Sequence, residues 1–79
     1  MLRDFENAML INHVGWYRKR KGLSQSKLAD LVGVSKNTIS NIERGIYIPG
    51  VDIAMKISWC LDFIPVSKLF EFEYPYDQE

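Results

Sequence analysis

Five hydrogen-bonding side chains crowd one side of the stretch Ser35 to Arg44. Lys36, Asn37, Ser40, Asn41 and Arg44 fall away from its two large apolar residues, Ile39 and Ile42. As a helix, this stretch has so narrow an apolar stripe that most of its circumference must face solvent or a partner. An α-helix fits the major groove of double-stranded DNA, where each base pair presents its own donors and acceptors. Asparagine can bond adenine in bidentate fashion, and lysine reaches guanine O6 and N7. The first residues of a helix laid in that groove are the ones that usually reach bases. The competing reading is a merely soluble polar face, which the residue types alone also allow.

Catalytic chemistry has no comparable foothold. The chain holds one cysteine, Cys60, and one histidine, His13. They form no nucleophile pair and no metal-ligand spacing, and there is neither a phosphate-cradling glycine loop nor a cluster of acids on one helix face. His13 reads as a core-edge or surface residue and Cys60 as a small core residue. We therefore expect no enzyme, no metal and no cofactor.

The polar stretch needs elements to hold it. Gly22, Gly33, Gly45, Pro49-Gly50 and Pro65 divide the chain into segments with helical spacing. The first is expected from Asn7 to Lys21, with Leu10, Val14 and Tyr17 on one stripe, Ile11 beside them and a basic end before Gly22. Gly15 inside it costs roughly 1 kcal/mol relative to alanine and marks a candidate close contact between helices. Ser24 and Ser35 suit the N-caps of a second and a third helix, the second burying Leu28, Leu31 and Val32. A fourth helix carries Ile53, Ile57 and Leu61 on one face, with Trp59 off that stripe. A short fifth starts at Pro65 with Val66, Leu69 and Phe70. Phe70-Glu71-Phe72-Glu73-Tyr74 then alternates apolar and acidic, a strand pattern closed by Pro75. The expected class is all-α, five short helices with room for a C-terminal strand.

Bulk properties agree. The chain has 79 residues, 47% of them hydrophobic, enough for one small domain with one modest core. A lone cysteine fits a reducing compartment. No apolar run is long enough to span a bilayer, and acids stand where a signal peptide would begin with bases; the expected location is cytoplasmic, with no membrane partner. Net charge is zero, but residues 18–44 carry +5 and residues 45–79 carry −4. A basic segment with acidic flanks is either a footprint for phosphate or a solvated surface beside an acidic tail.

The run Arg18-Lys19-Arg20-Lys21-Gly22-Leu23-Ser24-Gln25, followed by Leu28-Ala29, Gly33-Val34-Ser35, Thr38-Ile39-Ser40 and Ile42-Glu43-Arg44-Gly45, resembles the helix-turn-helix domains of the Cro and phage-repressor class, the XRE-like regulators. The likeness extends more loosely over residues 10–70 and is specific because of the order and spacing of the whole string. It implies a compact five-helix, lambda-repressor-like DNA-binding domain over 1–79. The helix-turn-helix would span 24–44 and a dimerisation region about 51–76. It implies base contacts from Lys36, Asn37, Asn41 and Ser40, and phosphate contacts from Gln25, Arg18, Thr38 and Arg44; Gln25 could otherwise serve only as a capping residue. It implies an Arg18–Glu43 brace, expected to be exposed and worth ~0–1 kcal/mol. The function implied is a dimeric, sequence-specific regulator of transcription, most simply a repressor. The alternatives are an antitoxin that also binds a toxin protein and a restriction–modification controller.

Three departures stand out. Ile46-Tyr47-Ile48 replaces the basic or polar phosphate-gripping loop of the class. Asp62-Phe63-Ile64 is one residue longer than usual, and Trp59 takes a commonly polar position. Together with Phe72 and Tyr74, residues Trp59, Phe63 and Ile64 form a candidate dimer surface, in which the tail could pair across a twofold axis. The competing reading is that these aromatics finish a small core.

Overall fold

A computed structural model describes residues 8–74. Asn7 and Pro75, the expected bounds of the first helix and the terminal strand, lie outside the described residues, as does the end of the 51–76 region. The order is β1 (Met9–Asn12), α1 (Val14–Lys21), α2 (Gln25–Val32), α3 (Lys36–Glu43), α4 (Val51–Cys60), α5 (Val66–Leu69) and β2 (Phe70–Glu73). The chain is thus helical with five helices and a small two-stranded sheet. No described helix is long and apolar enough to cross a membrane.

The local signals set the helix bounds. Ser24 accepts the Lys27 N–H at the start of α2, and Ser35 accepts the Thr38 N–H at the start of α3. Gly22 and Gly33 close α1 and α2 in the left-handed conformation, at φ 80° and 89°, which glycine adopts without a Cβ penalty. The buried sides meet in one core: Val14, Leu28, Ile39, Ile42, Ile57 and Leu69 are fully buried, with Ala29, Val32 and Leu61 around them. Leu31, expected in that core, is half exposed. Cys60 and Ile64 are partly buried and pack against the cluster.

The first helix begins later than the Leu10–Val14–Tyr17 spacing suggests. Met9–Asn12 is a strand, paired antiparallel with Phe70–Glu73 in the register Met9↔Glu73, Leu10↔Phe72, Ile11↔Glu71, Asn12↔Phe70. The expected terminal strand therefore exists, and within the chain it pairs with β1. Pairing overrides the helical spacing at 9–12 because Asn12 stops the helix: its Oδ1 accepts the Val14 N–H at 3.2 Å, satisfying a free donor of the first turn of α1. Phe70 belongs to β2 and leaves α5 with one turn.

The long connection between α4 and α5 is held tightly. Asp62 and Phe63 both take left-handed backbone at φ 62°. The Ser58 hydroxyl donates to the Ile64 carbonyl at 2.6 Å, and Lys21 pairs with Asp62 at 2.6 Å.

Candidate nucleic-acid interface

The α3 helix projects as its narrow stripe requires. Ile39 and Ile42 are fully buried, Lys36, Asn37 and Arg44 are exposed, and Thr38, Ser40 and Asn41 are half-buried at the margin. Ser35 and Thr38 share a hydroxyl–hydroxyl hydrogen bond of 2.9 Å, so the Thr38 side chain is partly occupied in the cap. The Asn41 carbonyl accepts the N–H groups of Ile46 and Tyr47. The loop thus hangs from α3 by its backbone and leaves the side chains of Ile46, Tyr47 and Ile48 in solvent.

A buried polar knot fixes the helix from below. Arg18 Nε donates to Glu43 Oε2 at 2.7 Å, Arg18 Nη2 to Glu43 Oε1 at 3.0 Å, and Arg18 Nη1 to the Leu23 carbonyl at 2.8 Å. Gln25 Nε2 donates to the same Glu43 Oε1 at 3.0 Å. One carboxylate at the end of α3 therefore ties α1 and the start of α2 to that helix. Burial pushes the Glu43 carboxyl up, but the hydrogen bonds from Arg18 and Gln25 and the nearby positive charges outweigh it and hold the group below its ordinary value. The hydrogen bond to Glu43 raises Arg18. Gly15 is where this knot needs room: a Cβ there would lie 3.0 Å from Glu43 Oε1.

Two expectations change. The Arg18–Glu43 pair is not an exposed brace, since the two side chains are only 9% and 11% accessible. Arg18 is also withdrawn from phosphate, because its guanidinium faces inward onto Glu43 and Leu23. Gln25 has spent one of its two amide hydrogens on Glu43; the other remains for an anion, beside the free N–H groups of the first turn of α2.

Asn12 is a structural link that sequence reasoning misses. Its Nδ2 donates to the Ile42 carbonyl at 2.9 Å and, at 3.4 Å, to that of Glu43. One side chain thus caps the end of α3 and the start of α1. Asn12 precedes the N-cap residue His13, so the usual N-cap preference does not mark it.

Much of the basic run is also occupied. Arg18 serves Glu43, Lys21 serves Asp62, and Arg20 lies over the Trp16 ring at 4.6 Å. Of the remaining candidates for a partner surface, Trp59 and Phe63 are exposed and their rings lie 6.1 Å apart. Phe72 and Tyr74 belong to the sheet end of the chain. Among the described residues no group of three His, Cys, Asp or Glu could hold a metal ion.

The helix-turn-helix family profile matches residues 14–69. The chain belongs to the helix-turn-helix family of the Cro and phage-repressor type. Among its relatives in this family is the HTH-type transcriptional regulator SlrR of Bacillus subtilis, 45% identical over 58 residues, which cover 72% of this chain and 38% of SlrR. The chain thus spans well under half the length of that helix-turn-helix relative. Among solved structures it resembles SinR, the master regulator for biofilm formation, in complex with DNA (TM-score 0.63, 40% identity, 68% of this chain and 86% of that one). It also resembles the SinR/SinI protein complex (TM-score 0.64, 39% identity, 70% of this chain and 53% of that one).

Proposed function

We propose that this chain is a sequence-specific double-stranded DNA-binding regulator of transcription. It lays α3 in the major groove and acts as a dimer, most simply as a repressor. The observation that carries this reading is the construction of α3. Its outer side offers Lys36, Asn37, Ser40 and Asn41, while its far end is locked from beneath by Arg18, Gln25 and Asn12 through Glu43 and the last carbonyls. A helix held this rigidly can present donors and acceptors in one register, which base discrimination requires. Gln25, Thr38 and Arg44 stand beside it as phosphate contacts, and the DNA complex of SinR supports the same use of the fold. In vitro selection of bound duplexes tests the reading: it should return a sequence preference, and the Asn37→Ala protein should lose part of it. Enrichment of no motif would defeat the proposal.

A second reading keeps the DNA site and adds a protein partner. The exposed apolar side of α4 and the complex of SinR with SinI favour it, and an antitoxin or a restriction–modification controller would be forms of it. A toxin co-purifying with the tagged chain would decide for the antitoxin form.

A further inference from the structure

An exposed tryptophan on α1 takes no part in the surface described so far. Trp16 is 55% exposed, and two open hollows meet at it. One, of about 430 Å³, lies between α1 and α5 and carries His13, Lys68 and Glu71. The other, of about 400 Å³, lies against the α4–α5 connection and carries Arg20, Lys21, Asp62, Leu61 and Ile64. Trp16 and Tyr17 line both, so the two form one trough. The Trp16 ring meets Tyr17 edge-on, with 4.8 Å between centroids, and the Arg20 guanidinium lies over it at 4.6 Å. Tyr17 in turn packs against the core. The stack is thus in place before any partner arrives, which lowers the ordering cost of binding. Trp, Tyr and Arg are also the residue types that most often dominate the binding energy of protein interfaces.

We propose that this trough docks an acidic segment of another protein. An apolar side chain of the segment rests on Trp16, between carboxylates held by Arg20 and Lys68. Charge selects this occupant. The carboxylates that line the trough are already met: Glu71 bonds His13 and Asp62 bonds Lys21, each at 2.6 Å. Glu73, the next acid of β2, lines neither hollow. Arg20 and Lys68, one in each hollow, have no carboxylate partner among the described residues. The charge left unmet is therefore positive, on either side of an aromatic centre. The planar fork of Arg20 suits a carboxylate in two-pronged fashion. A small molecule is the poorer fit, because its sites enclose about 70–90% of it and this trough leaves its central ring half exposed.

The trough stands apart from the side that α3 presents. At about 3.6 residues per turn, Gly15 and Arg18, which face Glu43 of α3, lie across α1 from Trp16 and Arg20. A docked segment and a duplex on α3 therefore do not compete for the same face. The trough is also separate from the exposed side of α4, since Val51, Met55 and Trp59 line neither hollow.

Displayed random peptides selected on the full wild-type chain, then titrated as synthetic peptides and followed by backbone and indole N–H NMR signals, test this. Enriched peptides should combine acidic residues with an aromatic or aliphatic one, and should shift the Trp16 indole and the Lys68 amide while leaving α3 unmoved. Trp16→Ala should weaken their binding by at least about tenfold with unchanged helix content by circular dichroism and unchanged affinity for duplex DNA. Arg20→Glu combined with Lys68→Glu should turn the preference from acidic to basic peptides, a gain that a misfolded chain could not show. No enrichment, enrichment without an acidic bias, or binding indifferent to Trp16→Ala overturns the proposal. So does a single-stranded oligonucleotide of about ten nucleotides that binds at Trp16 more tightly than any enriched peptide, which would make the trough a stacking site for bases. Loss of duplex binding in Trp16→Ala overturns the separation of the two faces. None of these outcomes depends on whether duplex selection returns a motif, so the DNA reading stands or falls separately.

Discussion

At the scale of single residues, the bases and the knot make separable predictions. Asn37 and Asn41 reach outward and hold no core position, so Asn37→Ala or Asn41→Ala should cost about 1–3 kcal/mol at the cognate site and relax base preference. Competition binding measures both, and their thermal midpoints should stay close to the parent's. Glu43 is the opposite case. Glu43→Gln keeps the shape but leaves the Arg18 charge buried and unneutralised, which should cost about 3 kcal/mol or more of folding stability. Its pH dependence follows from the depressed folded-state value. Stability from a lowered carboxyl is fully present above the unfolded value of about 4.3 and fades as pH falls through the folded value. Urea unfolding should therefore show wild-type stability falling more steeply than that of Glu43→Gln as pH drops below about 5; parallel slopes would remove Glu43 as the source. Gly15→Ala belongs to the same knot. It gains about 1 kcal/mol of helix propensity, yet its methyl group would press on a carboxylate that Arg18 and Gln25 hold in place. We expect a net loss of stability.

At the scale of elements, α2, α3 and α4 were legible because caps, glycines and apolar spacing agreed there. The first helix was not, because Leu10, Val14 and Tyr17 happen to match helical spacing while Leu10 pairs with Phe72. Strand pairing between residues sixty positions apart leaves no local mark in a four-residue segment. The alternation of Phe70–Glu73 did mark the other strand. The outward face of α3 was equally legible, since two isoleucines left no other way to bury it. The fate of Arg18 was not: a basic residue in a basic run gives no hint that its guanidinium turns inward. Asn12 joins these elements, and Asn12→Ala should uncap two helices at once. The expected cost is about 1–2 kcal/mol, with faster amide exchange in the last turn of α3 and weaker DNA binding at temperatures where the chain stays folded. Slow exchange in that turn with unchanged affinity would confine Asn12 to α1.

At the scale of the whole molecule, the matched family region, 14–69, stops just short of both strands. The sheet closes the two ends of that region on each other, and Asn12 links this closure to α3. Charge is organised at the same scale. The sequence places a dense basic run at 18–21, but Arg18 is held by Glu43, Arg20 by the Trp16 ring and Lys21 by Asp62. Of that run Lys19 stays exposed; the other exposed cations on this side lie on α2 and α3: Lys27 and Lys36, with Arg44 at the cap. Affinity for DNA should fall steeply with salt because each neutralised phosphate releases counterions. The slope of log K against log salt sorts the two groups. Lys36→Gln or Arg44→Gln should reduce it by about 1 for each phosphate that the variant no longer neutralises. Lys21→Gln should leave the slope nearly unchanged, because its charge is already spent on Asp62. Equal reductions from Lys21 and Lys36 would mean that the basic run in the sequence, not the surface of α3, is what DNA meets.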